Sequence, residues 1–158
     1  MESGGETMDD RKSLTMNQVM MPFQANVSGN VHGGEIMKYM DGVAGATAIR
    51  YAKSNVVTAR VDELQFLRPI AVGALVTCTG KIAYVGRTSM EIIVTVDVED
   101  MQSGRGPQRA LSAFFTMVAL DSTGHPIEVD PFTPETDEEK ELYAMAAARR
   151  EDYKKRRR

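Results

Sequence analysis

Asn30, the pair Gly33-Gly34 and Asp41 fall within one short stretch of the chain. Together they place an amide, a possible oxyanion donor and a carboxylate close in sequence. A carboxylate such as Asp41 can take a proton from water or attack a carbonyl itself. The amide of Asn30 can position that water or hold the carbonyl. A glycine pair allows a tight turn and a close backbone approach to a ligand. A helix starting there points free N–H groups and a partial positive charge outward, which suits an oxygen gaining negative charge. The N–H of Gly34, with that of Gly33, is the candidate donor. Plain structural roles stand beside these. Asn30 suits a turn or a helix entry. Asp41 suits a solvated helix edge or an ion pair with Arg50 or Arg60.

The two histidines give less. His32 is expected to serve packing or local polarity beside the glycine pair, and His125 to lie exposed in the turn before Pro126. No second histidine or cysteine lies near either one, so no metal site is expected. There is no Ser-His-Asp pattern and no G-x-S-x-G nucleophile elbow.

The elements that must position these residues follow from periodicity. Ile36, Met40, Ala44, Thr47 and Tyr51 recur at spacings of three and four, which predicts a helix over 34–52. Asp41 falls at the edge of that apolar stripe, near Gly45 and Ala48. Gly42 and Gly45 disfavour a helix relative to alanine. They are expected to admit a close neighbour, either a packed backbone or a ligand. Met37, Tyr39 and Met40 either border a flexible tunnel or pack in the core. Before the helix, 13–22 reads as a strand and 23–31 as a loop. After it the pattern turns to period two over 57–62, with Leu64, Phe66 and Leu67 following until Arg68-Pro69. Strands are predicted over 74–85 and 88–98, joined at Gly86-Arg87, and over 109–120. One long helix followed by antiparallel runs is an α+β pattern. In the tail, Thr136 with Glu139 three residues on predicts a capped helix, acidic at its start and basic at its end.

Three segments carry a resemblance: "GNVHGGEIMKYMDGVAG", "VVTARVDELQFLRPIAVGALV" and "VGRTSMEI", in that order. Over 19–129 the chain resembles the hotdog-fold acyl-CoA thioesterases, in the branch of the brain-type acyl-CoA hydrolases and the bacterial YciA-like enzymes. The resemblance implies a hotdog fold, a long central helix wrapped by an antiparallel sheet, plus a C-terminal helix. With the small, polar and charged composition of 1–12 and the changed composition of the tail, it divides the chain into a flexible 1–12, a thioesterase domain over 13–132 and a helical tail over 133–158. It also implies hydrolysis of acyl-CoA to a fatty acid and coenzyme A, with Asp41 as general base or nucleophile. Asn30 of one protomer would face Asp41 of its partner across a homodimer, and three such dimers would make a hexamer. For the coenzyme A moiety the resemblance points to Val85, Gly86, Arg87, Thr88 and Ser89, and to Arg149 and Arg150 for the phosphates. Thr58 would touch the thioester region, unless it is an ordinary β-branched strand residue. His32 and Gly33 would line the substrate. No cofactor is implied beyond coenzyme A as part of substrate and product. The rival reading is an acyl-CoA-binding sensor of the same fold without turnover. A hotdog dehydratase would want a histidine and acid arrangement that this helix does not show.

Composition narrows the class. The 158 residues suit one domain with a real core. Net charge is −3, which does not favour nucleic acid as a partner. The basic run Lys154-Lys155-Arg156-Arg157-Arg158 reads as a solvated helix end. The single cysteine, Cys78, fits a reducing cytoplasm, and no signal segment or membrane span is visible.

Overall fold

The structure, a computed structural model, describes residues 10–157. Its elements run β1 (Ser13–Val19), a 3-10 turn (Pro22–Gln24), α1 (Gly33–Ala52), β2 (Asn55–Asp62), β3 (Leu75–Val85), β4 (Ser89–Glu99), β5 (Gln108–Leu120) and α2 (Asp137–Arg156). The strands form one sheet in the order β1-β3-β4-β5-β2, antiparallel throughout. This is the hotdog arrangement that the resemblance implied. The expected 1–12 segment falls mainly on residues outside those described. Arg11, at its end, is buried and donates a hydrogen bond to the Tyr51 carbonyl at 3.2 Å.

Strict alternation dictates the inner face of the sheet. Val76, Cys78 and Ile82 of β3 point inward with Met90, Ile92, Val94 and Val96 of β4, and all are buried. Leu111, Ala113, Phe115 and Met117 of β5 continue that face, and Ile36, Met40, Val43, Ala44, Thr47 and Tyr51 of α1 pack onto it. Gly80 of β3 lies tight against α1. A Cβ there would lie 2.5 Å from Thr47 Oγ1 and 3.1 Å from Val43 Cγ1. The close approach expected at Gly42 and Gly45 is therefore found on the strand instead. Gly42 faces open space, and Gly45 has only an ordinary contact with Met117. Met40 is fully buried in the core, while Met37 is exposed.

β2 ends earlier than the apolar run suggests. Glu63 takes a left-handed conformation (φ 57°), which turns the chain out of the sheet, and 64–67 run on without strand pairing. α2 covers the outer face of the sheet, packing Ala146 and Leu142 on Ala83, Phe114 and Ile93. Its start is the predicted capping box: Thr136 Oγ1 accepts from the Glu139 N–H while the Glu139 carboxylate accepts from the Thr136 N–H. Both edge strands are paired on one side only. On β2 the side chains of Val57 and Val61 are exposed.

Candidate active site

Asp41 lies on an exposed part of α1, against β2. Its partner is Thr58, whose Oγ1 donates to Asp41 Oδ1 at 2.6 Å and also lies 3.4 Å from Met117 Sδ. Neither Arg50 nor Arg60 takes the role of counter-ion. Arg50 donates to the Asp10 and Ser13 carbonyls, and Arg60 faces Asp62 at 2.8 Å on the other side of the sheet. The Thr58 hydroxyl satisfies one carboxylate oxygen, and the other has no partner among the described residues.

The loop before α1 makes a second polar cluster. The Asn26 side-chain oxygen accepts from the N–H groups of Ser28 (2.9 Å) and Asn30 (3.2 Å). Asn26 N–H in turn donates to the Asn30 carbonyl at 2.7 Å. With its oxygen held this way, the Asn26 amide keeps its two N–H donors without an acceptor among the described residues. Asn26, Asn30 and Gly33 line an open groove of about 490 Å³ whose other wall is Phe66, Leu67 and Arg68. A Cβ on Gly33 would meet the Phe66 ring at 3.4 Å, so that glycine lets the ring close over the helix start.

His32 is the N-cap of α1. Its Nδ1 accepts from the Gly34 N–H at 2.9 Å. The donor that the sequence marks for a carbonyl oxygen is thus held by the chain's own imidazole, whereas the Gly33 N–H has no partner among the described residues. Asp41 follows Gly34 by seven positions, about two helical turns or 10 Å along the same side of α1. It does not line the groove of Asn26 and Asn30. One protomer brings Asp41 to Thr58 and the glycine pair to Asn26 and Asn30, as two separate clusters.

The hairpin Gly86–Ser89 closes with the Gly86 N–H donating to the Ser89 carbonyl at 2.8 Å. Ser89, Val118 and Val57 are paired in one row across β4, β5 and β2, so the hairpin sits two strand spacings, about 10 Å, from the residue next to Thr58. Arg87 projects into solvent, with only the loose partner Glu128 at 3.9 Å. Arg150 donates to Ser89 Oγ at 3.0 Å and lies over the Tyr84 ring. Arg149 is held by Asp62 (3.2 Å) and Glu63 (2.6 Å) and stacks on Phe114, so its charge is balanced within the chain.

The other reactive groups are excluded by environment. Burial, with a smaller contribution from Asp97, pushes the Cys78 thiol up to about 12, so no thiolate forms near neutrality. His125 is exposed and hydrogen-bonded to Thr123 Oγ1 at 2.8 Å in the turn after β5. Among the described residues no group of His, Cys, Asp and Glu could hold a metal ion, and no helix is long and apolar enough to cross a membrane. Sequence reasoning missed Asn26, whose role shows only once its side chain is seen to organise the loop, and Glu91, a carboxylate buried beneath α2.

Comparison with known proteins bears on the family and the fold. The thioesterase superfamily model matches residues 28–104. The cytosolic acyl coenzyme A thioester hydrolase of Rattus norvegicus is 40% identical over 81% of this chain. The chain spans only 34% of that relative's length. The crystal structure of an apo-hexameric acyl-CoA thioesterase superposes with a TM-score of 0.88 at 37% identity, covering 93% of this chain and 94% of that one. An acyl-CoA hydrolase from Staphylococcus aureus, in complex with butyryl coenzyme A and coenzyme A, superposes with a TM-score of 0.85 at 33% identity over 95% and 90% of the two chains. The chain belongs to the hotdog-fold acyl-CoA thioesterase family.

Proposed function

We propose that the protein hydrolyses acyl-CoA to a free acid and coenzyme A. The observation that carries the reading is the Asp41 carboxylate, one oxygen tied by Thr58 at 2.6 Å and the other open. In the simplest course this carboxylate takes a proton from water as the water oxygen bonds to the thioester carbon. The carbon–sulfur bond then breaks, and the thiolate leaves as coenzyme A. Direct attack by Asp41 would pass through a mixed anhydride that water then opens, with the same products.

Positions in the Staphylococcus aureus enzyme support the set. That enzyme has been solved as three single variants, with alanine replacing in turn an asparagine, an aspartate fifteen residues further on, or a threonine seventeen residues beyond that. Counted from Asp41, the same spacings fall on Asn26 and Thr58. Asn26 therefore joins Asn30 as the amide that positions water or the carbonyl, and its N–H donors, without an acceptor among the described residues, suit that task. Because Asp41 and the loop form separate clusters in one protomer, each site is composite. It takes Asp41 and Thr58 from one subunit and Asn26, Asn30, Gly33 and Gly34 from its partner, in a dimer that assembles as a trimer of dimers. Hexameric relatives support that assembly. Arg87, Thr88, Ser89 and Arg150 face the coenzyme A phosphates, and Arg149 anchors α2 beside them.

The test is thiol release from short, medium and long acyl-CoAs by the wild type and by Asp41→Ala. Loss of the carboxylate is expected to lower kcat by about 10² to 10⁴ with the oligomer intact. Full activity in the variant overturns the mechanism. Tight binding of acyl-CoA without release by the wild type would make the protein a sensor of the same fold.

A further inference from the structure

Glu91 is a carboxylate that the proposed reaction does not use, and its burial demands a reason. It is 3% exposed, on the outer face of β4 beneath α2. The strand registers put it in the middle of one row, Arg60–Thr116–Glu91–Tyr84, across β2, β5, β4 and β3. Thr116 Oγ1 donates to Glu91 Oε2 at 2.8 Å. The other oxygen, Oε1, faces Arg150 Nη1 at 3.5 Å. The same Nη1 donates to Ser89 Oγ at 3.0 Å, and the guanidinium lies 4.9 Å from the centre of the Tyr84 ring. Arg150 Nη2 has no acceptor among the described residues. It rests on the hairpin so closely that a Cβ on Gly86 would lie 2.9 Å from it.

We propose that Glu91 is a positioning residue for substrate binding: with Thr116 and Ser89 it fixes the Arg150 guanidinium on the Gly86–Ser89 hairpin, so that Nη2 presents its donors to a phosphate of coenzyme A. The inference rests on the thioesterase reading, since it takes the hairpin as the place where the coenzyme's phosphates lie. An arginine held at one nitrogen and stacked on a ring has lost its rotamer freedom before the ligand arrives, so less is lost on binding. Glycine at position 86 has a matching role, because any side chain there would push the guanidinium away. Arg60 adds positive charge on the other side of Glu91, but it faces Asp62 and stacks on Tyr153 at 3.6 Å. Arg150 is thus the arginine of the cluster whose other end reaches the hairpin.

The experiment compares wild type, Glu91→Gln and Arg150→Lys. It measures coenzyme A binding by calorimetry, and turnover of an acyl-CoA and of the acyl thioester of N-acetylcysteamine, which has no phosphate. Glu91→Gln keeps the shape and an acceptor for Thr116 but removes the charge that holds Arg150. It is expected to raise the Kd for coenzyme A and the KM for acyl-CoA by about tenfold, as loss of a charge-assisted contact would. The kcat holds, and kcat/KM for the phosphate-free thioester does not change. Adding Arg150→Lys to Glu91→Gln should weaken binding no further than Arg150→Lys alone, because one residue acts through the other. Thr116→Val, which releases the carboxylate's other oxygen, should weaken coenzyme A binding in the same direction if Glu91→Gln does not fold. An unchanged Kd in a folded variant overturns the proposal, as does an equal loss with the phosphate-free thioester. A wild type that binds coenzyme A but hydrolyses no acyl-CoA overturns the catalytic reading alone, because the binding comparison still decides the role of Glu91.

Discussion

Thr58 and His32 each hold one of the groups that the proposed chemistry needs. The Thr58 hydroxyl fixes the Asp41 carboxylate through a single short hydrogen bond. Thr58→Val keeps the β-branched shape and removes the donor. It should cut kcat by about tenfold or more, the worth of a hydrogen bond to a charged group, with little change in Tm. Steady-state kinetics beside a thermal melt checks both halves. His32 has the opposite effect. While its Nδ1 accepts from the Gly34 N–H, that donor is closed to a carbonyl oxygen. His32→Phe removes the competitor and the cap together, so kcat/KM should rise a few-fold while stability falls by about 1 kcal/mol. A fall in kcat/KM would show that the imidazole itself serves the substrate. The helix that carries Asp41, the glycine pair at its start and the turn at Gly86 were legible in the sequence because they are local patterns, whereas the roles given to Asp41 and to the hairpin came from the resemblance. Asn26 was not legible, because its meaning lies in a side-chain oxygen bound to two N–H groups further along the loop.

Elements differ in how far their packing can be read from a single chain. The apolar stripe of α1, the period-two strands and the Thr136 capping box were legible, because each is a local pattern. The point of contact between helix and sheet was not, since three glycines look alike until tertiary structure separates them. Gly80 has Thr47 Oγ1 at 2.5 Å from its missing Cβ, while Gly42 has nothing nearby. Gly80→Ala should therefore destabilise the protein by about 1–3 kcal/mol through overpacking. Gly42→Ala, in the same fold, should stabilise the free protomer by about 0.5–1 kcal/mol through helix propensity. Chemical denaturation of the two variants checks the contrast, and a reversed order would mean that α1 sits differently on the sheet. The interface of α2 adds a pH dependence. Burial pushes the Glu91 carboxyl above its ordinary range, against the lowering effects of Thr116, Arg150 and Arg60. A carboxyl whose pKa is raised by folding contributes stability that is complete below its unfolded pKa and lost as pH rises through the folded one. The wild type should lose Tm relative to Glu91→Gln as pH is raised from the ordinary carboxylate range toward neutrality. Parallel melting profiles for the two proteins would show Glu91 to be energetically silent.

At the scale of the whole molecule, the two separate polar clusters are what the proposed composite site rests on. Asp41 and Thr58 lie beside the free edge of the sheet, where β2 exposes Val57 and Val61, while the Asn26 groove lies at the start of α1 and is not lined by Asp41. A two-fold pairing of protomers would bring each cluster to the other's counterpart and set Asp41 facing the partner's loop. That arrangement has a quantitative signature. Asn26→Ala and Asp41→Ala subunits are each expected to form inactive oligomers. In a mixed dimer one site inherits both alanines and the other inherits both native residues. Random re-assortment at equal amounts makes half the dimers mixed, so about a quarter of all sites are intact by symmetry. Activity should recover to about a quarter of the wild-type value after partial unfolding and refolding together, and should stay near zero without exchange. Sites confined to one protomer could give no recovery at any ratio, so verified exchange without rescue would overturn the composite site while leaving Asp41 as the base.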